Sequence, residues 1–415
     1  MDNKKFNTTQ KSLFSAHMLR IVLELFTSTF LTSHIVSIDP TDVLGVGLMN
    51  IGIFYISQFV VYSIVYLFVS YFVDKSNRVS LYRIGIFVNA CLLVALVFWG
   101  ETISNWIVLA GALCGISDGF YYSSYIVMRN ELNSKNCIKS FNMLVTIVTN
   151  IIRIVVPTIL GFLIDVSSYS SVAIYILAIT IVQFAITFFI KSFKPQNSKF
   201  ELKEYFNFLK ENKETKNKIK YTYINAALVG PKNTFKIIVV ILTIYTFKTN
   251  LSLGIFTSLF SFLTMALLIV YKKLDANPKF KQLPIYILIG TLPVISCIVL
   301  VFWLNKPTLI IYNFFLTITI YFSDYFGTAE RDSIIKFVGH KEFIAEHQFI
   351  IETVQNISKI LSYVLFIVVG LISNIVVFKV LLIVLVLSNP IKYLVMFKQR
   401  KIRREFEEKL EKPAI

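Results

Sequence analysis

Nine ionisable side chains stand within stretches that are otherwise apolar: Arg20, Glu24, Asp118, Arg153, Lys232, Lys236, Asp324, Glu352 and Lys359. In a low-dielectric setting a carboxylate can take up a proton near neutral pH, and an ammonium or guanidinium attracts an anionic group. The chemistry open to such a set is reversible binding of protons, ions or polar solutes. Arg20 and Glu24 are four residues apart, share a helical face and can pair. Asn142, Thr146, Asn150 and Arg153 follow helical spacing and form one stripe, and Gln348, Glu352, Asn356 and Lys359 repeat it 206 residues later. Tyr121, Tyr122 and Tyr125 beside Asp118 offer aromatic surface with hydroxyls, which suits either an amphipathic ligand or plain helix packing.

Enzymatic signals are absent or isolated. His34 and Asp39 have the HxxxxD spacing of some acyltransferases, but no second catalytic block accompanies them. No phosphate-cradling GxxxxGK[ST] occurs, and Cys91, Cys114, Cys137 and Cys297 have neither metal nor disulfide spacing. We expect no catalytic residue, no metal and no cofactor, so any work must draw on a gradient or a separate subunit. His17 and His340 fall near span ends, where an interfacial role suffices, and His347 is a candidate pH reporter.

These residues need long apolar elements to hold them. Of 415 residues, 56% are apolar and 16% charged, against about 25% charged in a soluble domain. That composition excludes a soluble enzyme and a disordered chain, and the location of the basic residues decides whether the net charge of +17 points to nucleic acid. A spanning helix needs about 20 apolar residues. Twelve runs qualify: 12–34, 44–72, 81–100, 105–128, 140–163, 171–193, 221–247, 252–271, 283–304, 307–330, 345–371 and 374–397. The loops between them alternate. Lys75, Arg78 and Arg83 fall in one loop, the next (Glu101 to Ser104) has no basic residue, and the next has Arg129, Lys135 and Lys139. Lysine and arginine collect on the cytoplasmic side, so both termini are expected inside, and the +17 describes topology rather than a nucleic-acid surface. Residues 194–220 are the one long polar linker, and "ELKEYFNFLKENKE" within it has the spacing of an amphipathic helix. Gly230-Pro231 should break or kink the seventh span, freeing backbone groups that need a lined cavity.

The halves echo each other. Ser117-Asp118 recurs as Ser323-Asp324, "TNIIRI" as "QNISKI", and Cys91 as Cys297, all at an offset of 206. Two six-helix halves in parallel topology account for this. Twelve spans, a six-plus-six repeat, inside termini and a basic middle loop resemble the major facilitator superfamily over essentially the whole chain. The signature of that family, GxxxDRxGRR between spans 2 and 3, is similar to "SYFVDKSNRVS" at 70–80, where Asp74, Lys75 and Arg78 match or substitute conservatively. The resemblance implies a gating role for Asp74 and Arg78. It also implies that spans 1, 4, 7 and 10 line a central cavity, and these carry Glu24, Asp118, Lys236 and Asp324, one each. The export signature of span 5 survives as Pro157 and Gly161, whereas span 4 has no arginine near Gly111.

The sequence thus reads as an all-α polytopic membrane protein: a six-helix half (1–193), a linker (194–220), a second six-helix half (221–397) and a basic tail (398–415). The expected function is a secondary active transporter in the cell membrane, proton-coupled and exporting amphipathic compounds. Two alternatives stand beside it: an uptake symporter for a sugar or organic anion, and a non-transporting immunity, sensor or assembly factor on the same scaffold. Expected partners are a small-molecule substrate, a proton or other ion gradient and the bilayer, with no nucleic acid, and the protein is expected to be a monomer. Candidate coupling and substrate residues are Glu24, Asp118, Asp324, Arg153, Lys236, Lys359, Glu352 and Tyr122.

Overall fold

In hydrocarbon an apolar run of this length satisfies its backbone only as a helix or a closed barrel, and these runs lack barrel alternation. The computed structural model describes residues 6–38, 42–72, 77–131, 135–191, 200–275, 282–338 and 343–411, and among these it is helical with no strand. The helices are α1 (Thr8–Leu25), α2 (Leu31–Ser37), α3 (Leu48–Phe72), α4 (Arg78–Trp99), α5 (Ile107–Glu131), α6 (Lys135–Val166), α7 (Tyr169–Ile186) and α8 (Leu202–Glu211). Then come α9 (Lys213–Ala227), α10 (Val229–Phe247), α11 (Asn250–Asp275), α12 (Leu283–Phe302), α13 (Lys306–Val338), α14 (Ile344–Ile372), α15 (Ile375–Val386) and α16 (Ser388–Glu411). Among the described residues, ten helical segments are long and apolar enough to cross a membrane; one of them, Arg78–Arg129, is 52 residues long and holds both α4 and α5.

Contacts divide the chain into two compact units. The first is Met1–Asn197 with Val240–Phe262 and Phe366–Ser373, and the second is Ser198–Val239 with Leu263–Leu365 and Asn374–Ile415.

In the first unit α1 starts on a reciprocal cap: Gln10 N–H donates to Asn7 Oδ1 at 2.8 Å and Asn7 N–H to Gln10 Oε1 at 3.0 Å. A π-helical turn, Phe26–Phe30, joins α1 to α2 directly above Glu24. α5 is held from two sides. A Cβ on Gly111 or Gly115 would collide with the carbonyls of Phe54 and Gln58 on α3, so these glycines let the two backbones touch. On the other side Ser117 donates to the Gly85 carbonyl of α4 at 2.9 Å. The second-half segment Val240–Phe262 joins this unit at the far end of α6. Asp165 there accepts from the backbone N–H of Asn250 at 3.0 Å and of Leu251 at 2.8 Å, capping the start of α11. Pro157 and Gly161 pack here: Gly161 lies against the Asn250 carbonyl, and the Pro157 carbonyl lies against Gly254.

In the second unit the seventh span is broken, as Gly230-Pro231 requires, with the turn at Leu228 between α9 and α10. The freed groups find their partner in one side chain of α14. Ser358 Oγ accepts from Gly230 N–H at 3.1 Å and donates to the Ala227 carbonyl. The linker segment forms α8, with Tyr205 and Leu209 buried and Lys203, Phe206 and Lys210 exposed. The Tyr205 hydroxyl lies 2.7 Å from that of Tyr223 and 2.8 Å from His347 Nδ1. Burial pushes the Tyr205 phenol up, so the hydroxyl stays protonated. The twelfth run is also broken, at Leu387 ahead of Asn389-Pro390, and α16 carries the helix on through the basic tail to Glu411.

Candidate functional site

Three of the residues flagged as expensive charges, Arg20, Glu24 and Asp118, converge in the first unit. Arg20, 3% exposed, is the hub. Its Nε lies 3.5 Å from Glu24 Oε1, the pairing expected from their spacing, and its Nη2 forms an ion pair with Asp118 Oδ1 across 98 residues of sequence. Arg20 Nη1 also donates to Ser117 Oγ at 3.3 Å, and the guanidinium carbon sits 4.8 Å from the centre of the Tyr121 ring. Asp118 is completed by α3, since Gln58 Nε2 donates to its Oδ2 at 2.8 Å, and by the Cys114 thiol at 3.8 Å. Glu24 accepts from the Tyr122 hydroxyl.

The close approach of α3 and α5 places this site. Because Gly115 carries no side chain, the Gln58 backbone rests on α5 and its amide reaches Asp118, one turn away. Two carboxylates share one buried guanidinium, so the triad of Arg20, Glu24 and Asp118 would have one negative charge in excess with both carboxylates ionised. Glu24 is 30% and Asp118 16% exposed, so this excess is reachable.

Other expectations divide. Tyr121 and Tyr125 are buried in the core with Tyr82, Ile86 and Phe141, so they pack helices rather than offer ligand surface. His17 is buried, stacks on Tyr125 at a centroid distance of 4.0 Å and lies 3.0 Å from the Tyr121 hydroxyl. His34 is absorbed by packing, stacked on Tyr169 at 4.2 Å with Nε2 3.1 Å from the Gly100 carbonyl, and Asp39 lies outside the described residues. In the second unit Glu352 accepts from Gln348 at 3.0 Å and Lys359 donates to Asn356 at 3.3 Å, so the stripe of α14 bonds along itself. Lys236 is exposed and Lys232 buried. Arg78 is buried at the start of α4, while Asp74 and the side chain of Asp324 lie outside the described residues.

Gln58 and Cys114 were not anticipated at the site. The available signals were an amide within the apolar run "YISQFVVYS" and a thiol one helical turn before Asp118.

Spanning helices that enclose a buried, partly reachable charge cluster define a multi-pass membrane protein. Its family is shown by comparison. The model of the Major Facilitator Superfamily matches residues 14–338, and the chain belongs to that family of membrane transporters. Solved structures of similar fold include a bacterial homologue of the iron transporter ferroportin in its inward-facing state (TM-score 0.68, 11% identity, 94% of this chain and 98% of that one). A peptide transporter, POT, in complex with alafosfalin is also similar (TM-score 0.70, 9% identity, 98% and 97% covered). At these identities the likeness is one of fold. An uncharacterized protein of Bacillus subtilis (strain 168), YqgE, is 29% identical over 91 residues, which is 22% of this chain and 21% of that protein. The match therefore spans about a fifth of that relative's length.

Proposed function

We propose that this chain is a twelve-helix secondary active transporter that exports a small amphipathic solute by alternating access of two halves, 1–193 and 221–397, coupled to protons. The twelve-span reading is supported by the segments themselves. Ten qualify by length and hydropathy, the 52-residue one holds two helices, and α13, with 33 residues, supplies the last. Alternation of basic loops supports inside termini in the cell membrane.

The single observation that carries the coupling reading is Arg20 shared between Glu24 and Asp118. A buried excess of one carboxylate is costly, and one proton or one cationic group removes it. Uptake at Asp118 releases Arg20 from its partner on α5, which changes how α1 is held to α5. A change of that kind lets a bound proton bias one conformation over another. Tyr122 holds Glu24 and presents a half-buried ring to an amphipathic solute. Arg153, Lys236 and Lys359 balance carboxylates or receive an anionic group, with Glu352 and Asp324 as further acidic partners. Asp74 and Arg78 form the gate of the loop before α4.

The test is flux in proteoliposomes under an imposed pH gradient, read in both directions. Asp118→Asn and Glu24→Gln should each reduce gradient-driven flux at least tenfold while leaving exchange down a solute gradient measurable. Unchanged driven flux in both variants and in Asp324→Asn would overturn proton coupling.

A further inference from the structure

The second unit carries a charged surface that the transport reading leaves unused. α9 and α16 each bring a lysine to one aromatic ring: the Lys220 ammonium lies 5.3 Å and the Lys398 ammonium 5.4 Å from the centre of the Tyr221 ring. Both distances are within cation–π reach. Both lysines are exposed, as are Lys216 one turn earlier on α9 and Lys401 one turn later on α16. The level of the two helices is fixed from inside. Gln399, next to Lys398, is fully buried, accepts from Asn225 Nδ2 at 2.9 Å and donates to Thr222 Oγ1 at 3.2 Å.

No acidic side chain lies within one turn of Lys220 on α9 or of Lys398 on α16. Glu214, the one carboxylate of α9, is engaged by Lys218, and α16 has none before Glu405. In the opposite direction along the same two helices, the exposed surface turns aliphatic. Ile224, four residues after Lys220, is 41% exposed, and Leu394, four residues before Lys398, is 46% exposed. Two packed helices thus pass from exposed aliphatic to exposed ammonium groups at one level. A phospholipid presents acyl chain and headgroup in that order.

We propose that Lys220, Lys398 and Tyr221 form a binding site for the headgroup of an anionic phospholipid, with its acyl chain along Ile224 and Leu394. The aliphatic strip favours a lipid over a free anion, which would gain nothing from it. Each lysine should contribute about a fivefold factor in affinity.

The full-length protein in an uncharged detergent is titrated with tail-labelled phosphatidylglycerol. Phosphatidylcholine of the same chains and inorganic phosphate serve as competitors. Lys220→Gln with Lys398→Gln should weaken binding about thirty-fold, and Lys220→Arg with Lys398→Arg should retain it. Lys203→Gln with Lys210→Gln, which removes the same charge from the exposed face of α8, should also retain it. Neither competitor should displace the label at concentrations where unlabelled phosphatidylglycerol does. Unchanged binding in the first pair, an equal loss in the α8 pair, or displacement by phosphate or by phosphatidylcholine at matched concentration would overturn the assignment.

Discussion

Arg20 is the residue on which the first unit's polar interior depends. It is almost fully buried and faces two carboxylates, a serine and an aromatic ring at once. Removing one partner of a buried ion pair costs about 3–5 kcal/mol, because the remaining charge is left without compensation. Arg20→Gln should therefore lower the unfolding free energy by roughly that amount, as read by thermal or denaturant unfolding in detergent. Adding Asp118→Asn should restore part of the loss, since the second substitution removes the charge that the first left unpaired. Two independent, additive losses would show that the pair is not energetically coupled. Only half of this site was legible along the chain. The Arg20–Glu24 contact follows from a spacing of four residues, whereas Asp118 meets Arg20 only after 98 residues of intervening chain have folded. Gln58 was hidden further, because a lone amide in an apolar run carries no period to mark its direction.

The break between α9 and α10 shows how a local sequence signal and a remote side chain divide the work. Gly230-Pro231 dictates that the helix cannot continue, but not what satisfies the groups set free. Ser358 of α14 takes both, as acceptor for Gly230 N–H and donor to the Ala227 carbonyl. Gly230 can sit there because a Cβ would collide with the Ser358 carbonyl, so the two backbones are in direct contact. Ser358→Ala should cost about 1–3 kcal/mol by stranding the buried Gly230 N–H and leaving the Ala227 carbonyl without this donor, and Ser358→Thr should recover part of it. The measurement is the unfolding midpoint of each variant, and a Ser358→Ala midpoint equal to the parent would refute the assignment. The same logic governs α5. The spacing of Gly111, Gly115 and Gly119 is visible in sequence, but its meaning as the contact with α3 that positions Gln58 is not.

For the whole molecule, the alternation of basic loops makes a topological prediction. Single cysteines placed in residues 101–104 should react with an impermeant thiol reagent in intact cells. Cysteines at Phe206 or Ile415 should react only after permeabilisation, in a background with the native cysteines replaced. Labelling at Phe206 from outside would invert the orientation.

Hydropathy, loop charge and the 206-residue echo are properties that each stretch of chain carries locally. They determined by themselves that this is a helical multi-pass membrane protein and which family it resembles. Membrane insertion depends on exactly such local quantities, since each span must satisfy its own backbone and bury its own apolar surface. Only the tertiary structure decided that Asp118 shares Arg20 with Glu24, that Tyr121, Tyr125 and His17 belong to packing, and that Ser358 closes the break before Gly230. Those outcomes rest on pairwise contacts between distant segments, set by how closely glycine-bearing helices approach, and no periodicity along the chain encodes a distance between two helices.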